Sequence, residues 1–227
     1  MDGHEPKRVT ILVLFYSFTG ATSELAKVVA EGANSVAGAD VTIKQMPETL
    51  PESFFDDKPK LKAARAALNK EFPAATLDDL TSADGIALGS PTHFGSFASQ
   101  WKAFFDQLSP VWLEGKLVNK PVALFCTAGS MHGGEEATLL AMMTPLLNLG
   151  MVPVGIPYPI QGESPDFDAG SPYGAIFVTG HKGEKKMTEA DKKVARILGI
   201  RLATMTRLLN CGCEACGLCQ TMSGKLS

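Results

Sequence analysis

Apolar residues in this chain come in short runs separated by longer amphipathic stretches. The runs are Val9 to Tyr16, Val41 to Met46, Gly85 to Gly89, Val122 to Thr127 and Met151 to Ile156, each of strand length. Between and after them, apolar residues recur at helical spacing. Ser23 to Val36 places Leu25, Val28, Val29 and Gly32 on one face, and Thr188 to Leu209, with Thr188 as its N-cap, does the same with Val194, Ile197, Leu198, Leu202 and Met205. Further helices are expected within Leu61 to Lys70, over Phe97 to Leu108, and over Glu135 to Leu149 with a kink at Pro145. Strand alternating with helix predicts an α/β fold: a doubly wound, five-stranded parallel sheet with helices on both faces. Three connections are long: Pro47 to Phe72, Ser109 to Lys120, and the Gly/Pro-rich Tyr158 to Lys186.

The first strand runs directly into Ser17-Phe18-Thr19-Gly20-Ala21-Thr22 and then into a helix. A helix N-terminus carries unpaired N–H groups and about half a positive charge, so an anion is favoured there without a basic side chain. The hydroxyls of Ser17, Thr19 and Thr22 add potential donors, and Gly20 permits close approach. The stretch has neither the Gly-x-x-x-x-Gly-Lys-Ser/Thr of a triphosphate loop nor the Gly-x-Gly-x-x-Gly of a dinucleotide fold. It reads as an uncharged pocket for a monophosphate. The competing reading is that these hydroxyl residues only cap the helix, as Ser and Thr often do.

Ligands of such sheets sit outside the carboxyl ends of the strands, where the strand order reverses. The turns after the third and fourth strands should therefore also be binding loops. Ser90-Pro91-Thr92-His93-Phe94-Gly95-Ser96 and Thr127-Ala128-Gly129-Ser130-Met131-His132-Gly133-Gly134 are both long, Gly-containing and rich in hydroxyls. Three such loops at one end of a sheet favour a planar ligand with a monophosphate tail.

Composition narrows the setting. The chain has 227 residues, 45% hydrophobic and 20% charged, which suits one elaborated domain with a full core. A formal net charge of −3 gives no basic surface for nucleic acid. Met1 to Arg8 has no apolar stretch of the kind that directs secretion. Ala137 to Ile160 is uncharged, but Pro145, Pro153, Pro157 and Pro159 break it as a membrane span, so no integral membrane segment is expected. Five cysteines, four of them crowded near one end, do not resemble a disulfide framework and point to a reducing cytoplasm.

The stretches Ile11 to Gly20, Gln45-Met46-Pro47-Glu48-Thr49, Gly89 to Gly95, Thr127 to Ser130 and Ser171-Pro172-Tyr173-Gly174-Ala175, in that order, resemble the WrbA family over about Val9 to Leu209. Members of that family are flavodoxin-like, FMN-dependent NAD(P)H:quinone oxidoreductases. The resemblance implies that Ser17 to Thr22 hold the FMN phosphate and that Thr92, His93 and Phe94 line the isoalloxazine, with Pro91 and Gly95 shaping that turn. It implies that Thr127, Ala128, Gly129, Ser130 and Gly133 pass the ring's far edge and ribityl chain, and that Trp112 covers the flavin face as part of the quinone and nicotinamide site. It also implies a homotetramer. Thr19 and His93 stand where the family often has Tyr and Arg, no His is found near Asn148 or Leu149, and Met131 and His132 stand where glycines are usual.

With FMN bound, the flavin supplies the reactive atoms, the protein supplies orientation and electrostatics, and no catalytic side chain is required. One face shared by nicotinamide and quinone implies ping-pong kinetics. His93 and His132 are the titratable groups expected nearest the ring, either as donors of the second proton or as packing residues. Residues 210–227 form a separate tail in which Cys211, Cys213, Cys216 and Cys219 pack four thiols into nine residues. Such spacing fits Zn or an iron–sulfur cluster, or equally a redox-active tail. Rival functions are a flavodoxin-type electron carrier, a reductase of azo compounds, metals or free flavin, and a scaffold that has lost FMN. Carriers of the flavodoxin type are usually strongly acidic, which weighs against the first.

Overall fold

A computed structural model describes residues 8–158 and 169–216, with side chains described as far as Asn210. Strand β1 (Val9–Phe15) is buried at six of its seven positions, as a continuous apolar run demands of a central strand. Alternate residues face opposite ways. Ile11, Val13 and Phe15 pack against helices α1 (Ala21–Asn34) and α7 (Glu189–Cys216), whereas Leu12, Leu14 and Tyr16 pack on the other layer. Strands β2 (Ala39–Gln45), β3 (Gly85–His93) and β5 (Pro121–Ala128) complete the sheet's centre, with β1 parallel to both β2 and β3, and β3 parallel to β5. The order β2-β1-β3-β5 reverses direction between β1 and β3, the switch point where ligands of doubly wound sheets bind.

The fifth strand position is built in two pieces, which differs from the single strand expected over Met151 to Ile156. Only β6 (Val152–Pro153) forms there, pairing with Pro121 and Val122. The chain then leaves the sheet and returns as β7 (Ala175–Val178), parallel to Phe125–Ala128. Proline has no N–H to donate, so Pro153 and Pro157 weaken any continuous ladder. The four apolar residues of β7 were absorbed into the expected irregular excursion because they are flanked by Gly and Pro.

On the first face, α1 and α7 lie unusually close. A Cβ at Gly32 would come within 2.2 Å of the Arg196 carbonyl oxygen, and one at Gly199 within 2.0 Å of that of Val29. Helix α7 begins as expected, with Thr188 Oγ1 accepting from the Asp191 N–H and the Asp191 carboxylate accepting from the Thr188 N–H and hydroxyl. It runs on to Cys216 rather than ending at Leu209, so the boundary expected at 209/210 falls inside a helix.

The second face carries α3 (Leu77–Ser82), α4 (Ser99–Phe105), α5 (Ser109–Leu113) and α6 (Glu135–Asn148), with Pro145 in the last turn of α6. Leu80, Trp101, Phe104, Leu139, Met142 and Leu146 cover Leu12, Leu14, Ile86, Leu88 and Leu124. Each such side chain stabilises by about 1.5–3 kcal/mol when fully buried. The long second connection contains a short 3₁₀ turn (Glu52–Phe55) and α2 (Pro59–Glu71). Helix α3 was not expected, although its capping box of Thr76 and Asp79 is visible in sequence.

That second connection is held under the end of β1 by one carboxylate. Glu48 Oε2 accepts from the Tyr16 hydroxyl at 2.7 Å, and Oε1 accepts from Gln100 Nε2 at 2.6 Å and from the Thr49 and Leu50 N–H groups at 2.8 and 2.9 Å. Replacing Glu48 with alanine should cost about 2–3 kcal/mol, because four donors lose their acceptor in a half-buried place. In thermal melts this corresponds to a drop of roughly 4–12 °C, with Glu48→Gln in between. An unchanged melting temperature in both variants would show that the network is dispensable.

Candidate functional site

The three loops anticipated from sequence meet at the carboxyl edge of the sheet, and each touches the other two. The loop after β1 meets the loop after β3 where the Phe18 ring stands edge-on to the His93 imidazole, 5.9 Å between centroids. It meets the loop after β5 through the hydroxyls of Thr22 and Thr127, 2.9 Å apart and buried. The loops after β3 and β5 press glycine on glycine: a Cβ at Gly134 would lie 2.6 Å from the Gly95 Cα.

The first loop is shaped for an anion. Gly20 has φ +100°, a region L side chains rarely adopt, and a Cβ there would have no atom within 4 Å. Its N–H donates to Ser17 Oγ at 3.0 Å, and its carbonyl accepts from Ser23 Oγ at 2.6 Å. Among the described residues the N–H groups of Thr19, Ala21 and Thr22 find no acceptor, as the first turn of a helix requires. The hydroxyls divide differently from expectation. Ser17 closes the turn and Thr22 turns inward to Thr127, leaving the exposed Thr19 hydroxyl and the backbone for a ligand.

The loop after β3 is a two-residue hairpin into β4 (Ser96–Phe97), with His93 opposite Ser96. Phe94 and Gly95 at its tip have φ +52° and +76°, the signs of a type I′ turn. A phenylalanine in this region is strained, and its ring is fully exposed. The hairpin holds an aromatic ring in solvent at the mouth of the site. Thr92 Oγ1 is buried with no hydrogen-bond partner among the described residues. Pro91 pairs with Thr127 in the sheet and sets the end of the strand.

In the loop after β5, Gly129, Met131, His132 and Gly133 are exposed, and the His132 N–H donates to Glu135 Oε1 at 2.8 Å. Cys126 beneath is fully buried, its thiol pushed up to about 12 by burial, so it is an inert packing residue. A fourth loop, Thr179 to Thr188 after β7, was not anticipated. The Thr179 N–H donates to the Ala128 carbonyl at 2.8 Å, placing this loop beside Gly129. Its signal in sequence was the Thr-Gly-His-Lys-Gly stretch after a short apolar run.

Trp112 does not join the loops within one chain. It is 58% exposed and lines a separate cleft of about 500 Å³ with Phe97, Phe105 and Leu149, between α4, α5 and α6. Cys211, Cys213 and Cys216 lie in the last turns of α7, where side chains are not described, and Cys219 lies outside the described residues. Among the described residues no group of three or more His, Cys, Asp or Glu is placed to hold a metal ion.

The His93 imidazole is half-buried, and desolvation pushes it below its ordinary value of 6.5. It is therefore neutral at neutral pH. The unfolded chain takes up that proton first as pH falls. This residue's contribution is thus complete above about pH 7 and is lost as pH drops from its unfolded pKa through its lower folded one. Melting temperatures of His93→Gln should fall less steeply between about pH 7 and pH 5 than those of the wild type. Parallel curves would refute this.

Residues 9–165 match the family model described as NADPH-dependent FMN reductase. A protein named NAD(P)H dehydrogenase (quinone) from Solidesulfovibrio magneticus is 36% identical over 88% of this chain and 99% of its own length. One of the same name from Rhizobium rhizogenes is 39% identical over 88% and 98%. The chain belongs to this family. Among solved structures, a WrbA-like flavodoxin from Agrobacterium tumefaciens superposes with a TM-score of 0.59 at 22% identity, covering 88% of this chain and 98% of that one. At that identity the likeness speaks for the fold, which is flavodoxin-like.

Family members sharing this fold need a cradle for FMN, and the residues here fit one. The turn at Gly20 offers free N–H groups over open space, Thr92 keeps a buried hydroxyl without a partner, and the tip at Phe94 presents an aromatic ring. These features lie on loops that touch one another.

Proposed function

We propose that this protein is an FMN-dependent oxidoreductase that passes two electrons from NAD(P)H to quinones. The observation that carries the reading is the mutual contact of the three loops at the switch point, in a chain 36–39% identical to quinone dehydrogenases over most of its length. When bound, FMN supplies the hydride chemistry.

The chain's own residues bind and orient. The N–H groups of Thr19, Ala21 and Thr22, with the Thr19 hydroxyl, take the phosphate at the positive end of α1. Thr92 to Gly95 and Thr127 to Gly133 would hold the flavin ring, and their backbone N–H groups would be its hydrogen-bond donors. The Phe18 ring stands edge-on to the His93 imidazole and joins the first loop to the second. With FMN in place, nicotinamide and quinone would share one site, so no side-chain chemistry is required.

The protein acts as a homo-oligomer in the cytoplasm. Trp112, Leu113 and Leu147 are exposed apolar residues, and Trp112 lines the cleft between α4, α5 and α6; covering them with a second copy supports a tetramer in which Trp112 approaches a neighbour's ring. Among the described residues no helix is long and apolar enough to cross a membrane. The test is spectroscopic. Purified protein should be yellow, bleach on anaerobic addition of NADH or NADPH, and recover its colour with benzoquinone. Bleaching by dithionite alone would make it an electron carrier, and failure to take up FMN would end the proposal.

A further inference from the structure

The crowded cysteines are a motif of the sequence that the flavin reading leaves unused. Cys211-Gly212-Cys213-Glu214-Ala215-Cys216-Gly217-Leu218-Cys219 sets four thiols in nine residues, whereas the rest of the chain holds only the buried Cys126. Helix α7 carries this stretch away from the flavin loops. It starts beside the Thr179 to Thr188 loop at the carboxyl edge of the sheet and reaches the amino edge: a Cβ at Gly85, the first residue of β3, would lie 2.1 Å from Thr206 Oγ1. From Gly85 to His93, β3 spans about 26 Å at about 3.3 Å per residue, and Cys211 lies another ~7 Å beyond Thr206 along the helix. The cysteines are therefore on the order of 30 Å from the three loops. Thiol–disulfide chemistry needs a sulfur in contact with its partner, so the same chain's flavin is not that partner.

The helix is anchored almost as far as the cysteines. Leu198, Leu202 and Ala203 are fully buried, and the Thr206 hydroxyl donates to the Leu202 carbonyl at 2.8 Å. Beyond that anchor, Cys213 and Cys216 are three residues apart on α7, on one face a turn from each other. Cys219 follows Cys216 at the same spacing. Cys211 is two residues before Cys213, about 200° around the helix axis, so it joins them only where the helix opens at Gly212. Glycine is a poor helix former, which lowers the cost of that opening. Repeated Cys-x-x-Cys spacing is that of structural zinc sites. Zn–S bonds of about 2.3 Å in a tetrahedron put four sulfurs within about 4 Å of one another, a span that so short a stretch can supply. The Cys-x-x-Cys-x-x-Cys run of ferredoxins instead takes the fourth thiolate of its cluster from a distant part of the chain.

We propose that Cys211, Cys213, Cys216 and Cys219 bind one Zn²⁺ ion as a four-thiolate centre at the end of α7. Binding converts the thiols to thiolates and releases their protons to solvent, with no change of oxidation state. The last turns of α7 open at Gly212 as the ion is taken up. The inference does not depend on the flavin reading, because the centre stands at the opposite edge of the sheet.

The full chain, without a metal-binding affinity tag, is reduced, stripped of metal and titrated anaerobically with Zn²⁺ against a coloured competing chelator, beside the variant Cys213→Ser/Cys216→Ser. Wild type should take up one equivalent with a Kd of about 1 nM or tighter, and the variant should bind at least about a hundred-fold more weakly. Co²⁺ used as a coloured substitute should give intense sulfur-to-cobalt absorption with wild type and lose it with the variant. Helical circular dichroism should fall by about one turn as Zn²⁺ binds wild type, and an unchanged signal would overturn the opening at Gly212. FMN affinity should agree within about two-fold between the two proteins, which also checks that the variant is folded. Zn²⁺ binding weaker than about 1 μM, or equal in the two proteins, overturns the proposal. Iron and sulfide in place of zinc in protein isolated anaerobically overturn it as well, assigning the thiolates to a cluster. Protein that binds zinc as expected but no FMN fails the flavin reading and leaves this inference standing.

Discussion

Replacing Gly20 with valine should lower FMN affinity by at least about a hundred-fold while leaving the protein folded. The residue has φ +100°, where a β-branched side chain costs about 1–2 kcal/mol or more, so the turn relaxes away from the geometry that aims the N–H groups of Thr19, Ala21 and Thr22. The added side chain meets no protein atom within 4 Å of its Cβ, so it projects into the space assigned to the phosphate rather than into the core. The strain should lower the melting temperature by only a few degrees. Gly20→Ala, with the same backbone penalty in milder form, should fall between valine and wild type. Fluorescence titration of apoprotein measures the affinities. Micromolar or tighter FMN binding by the valine variant would remove the phosphate from this turn.

The largest loss of stability is expected from Trp101→Ala. Trp101 is fully buried, packs on Phe104 and Phe105 with centroids 6.3 and 5.7 Å away, and its Nε1–H donates to the Gly89 carbonyl at 3.0 Å. Truncating a buried tryptophan costs about 3–5 kcal/mol, or roughly 6–20 °C in a chain of this size. Trp101→Phe keeps most of the packing and loses the hydrogen bond, so it should cost about 1–2 kcal/mol. The effect should reach the site. Trp101 fastens α4 to β3 one residue before Ser90, whose Oγ accepts from the Ala98 N–H, and the His93–Ser96 hairpin lies between these two anchors. Flavin affinity should therefore drop in the alanine variant even at temperatures where it remains folded. A melting curve close to wild type would mean that this packing contributes little.

These expectations show which parts of the molecule were readable in its sequence. Strands with both faces buried announce themselves, because β1 and β5 need apolar residues at almost every position. The start of α7 was equally plain, since Thr188 and Asp191 satisfy each other's N–H groups within four residues of chain. The two-part fifth strand was not. Val152–Pro153 and Ala175–Val178 are each too short to carry a periodicity, and what makes them one sheet position is a shared partner, β5. The end of α7 was misplaced because Cys211 to Cys216 contain none of the large apolar residues that mark the helical spacing before them, yet the helix continues through them.

The loops divide along the same line. Gly20, the Phe94-Gly95 tip and the hydroxyl-rich stretches were candidates from residue type alone, because special backbone angles and donors are local properties. Which hydroxyl serves a ligand was not local. Thr22 is claimed by Thr127, 105 residues away, and Ser17 by its own turn.

From the chain's residues alone came the α/β class, the buried central strands, the turn at Ser17 to Thr22 and, through its motifs, the family. Only the tertiary structure decided that the three loops touch, that Trp112 faces a different cleft, and that lysines from the Thr179 to Thr188 loop stand beside the phosphate turn. Periodicity and turn chemistry report what each segment requires of its own surroundings. Which segments supply those surroundings follows from strand order and crossover, which bring together residues that no local pattern relates.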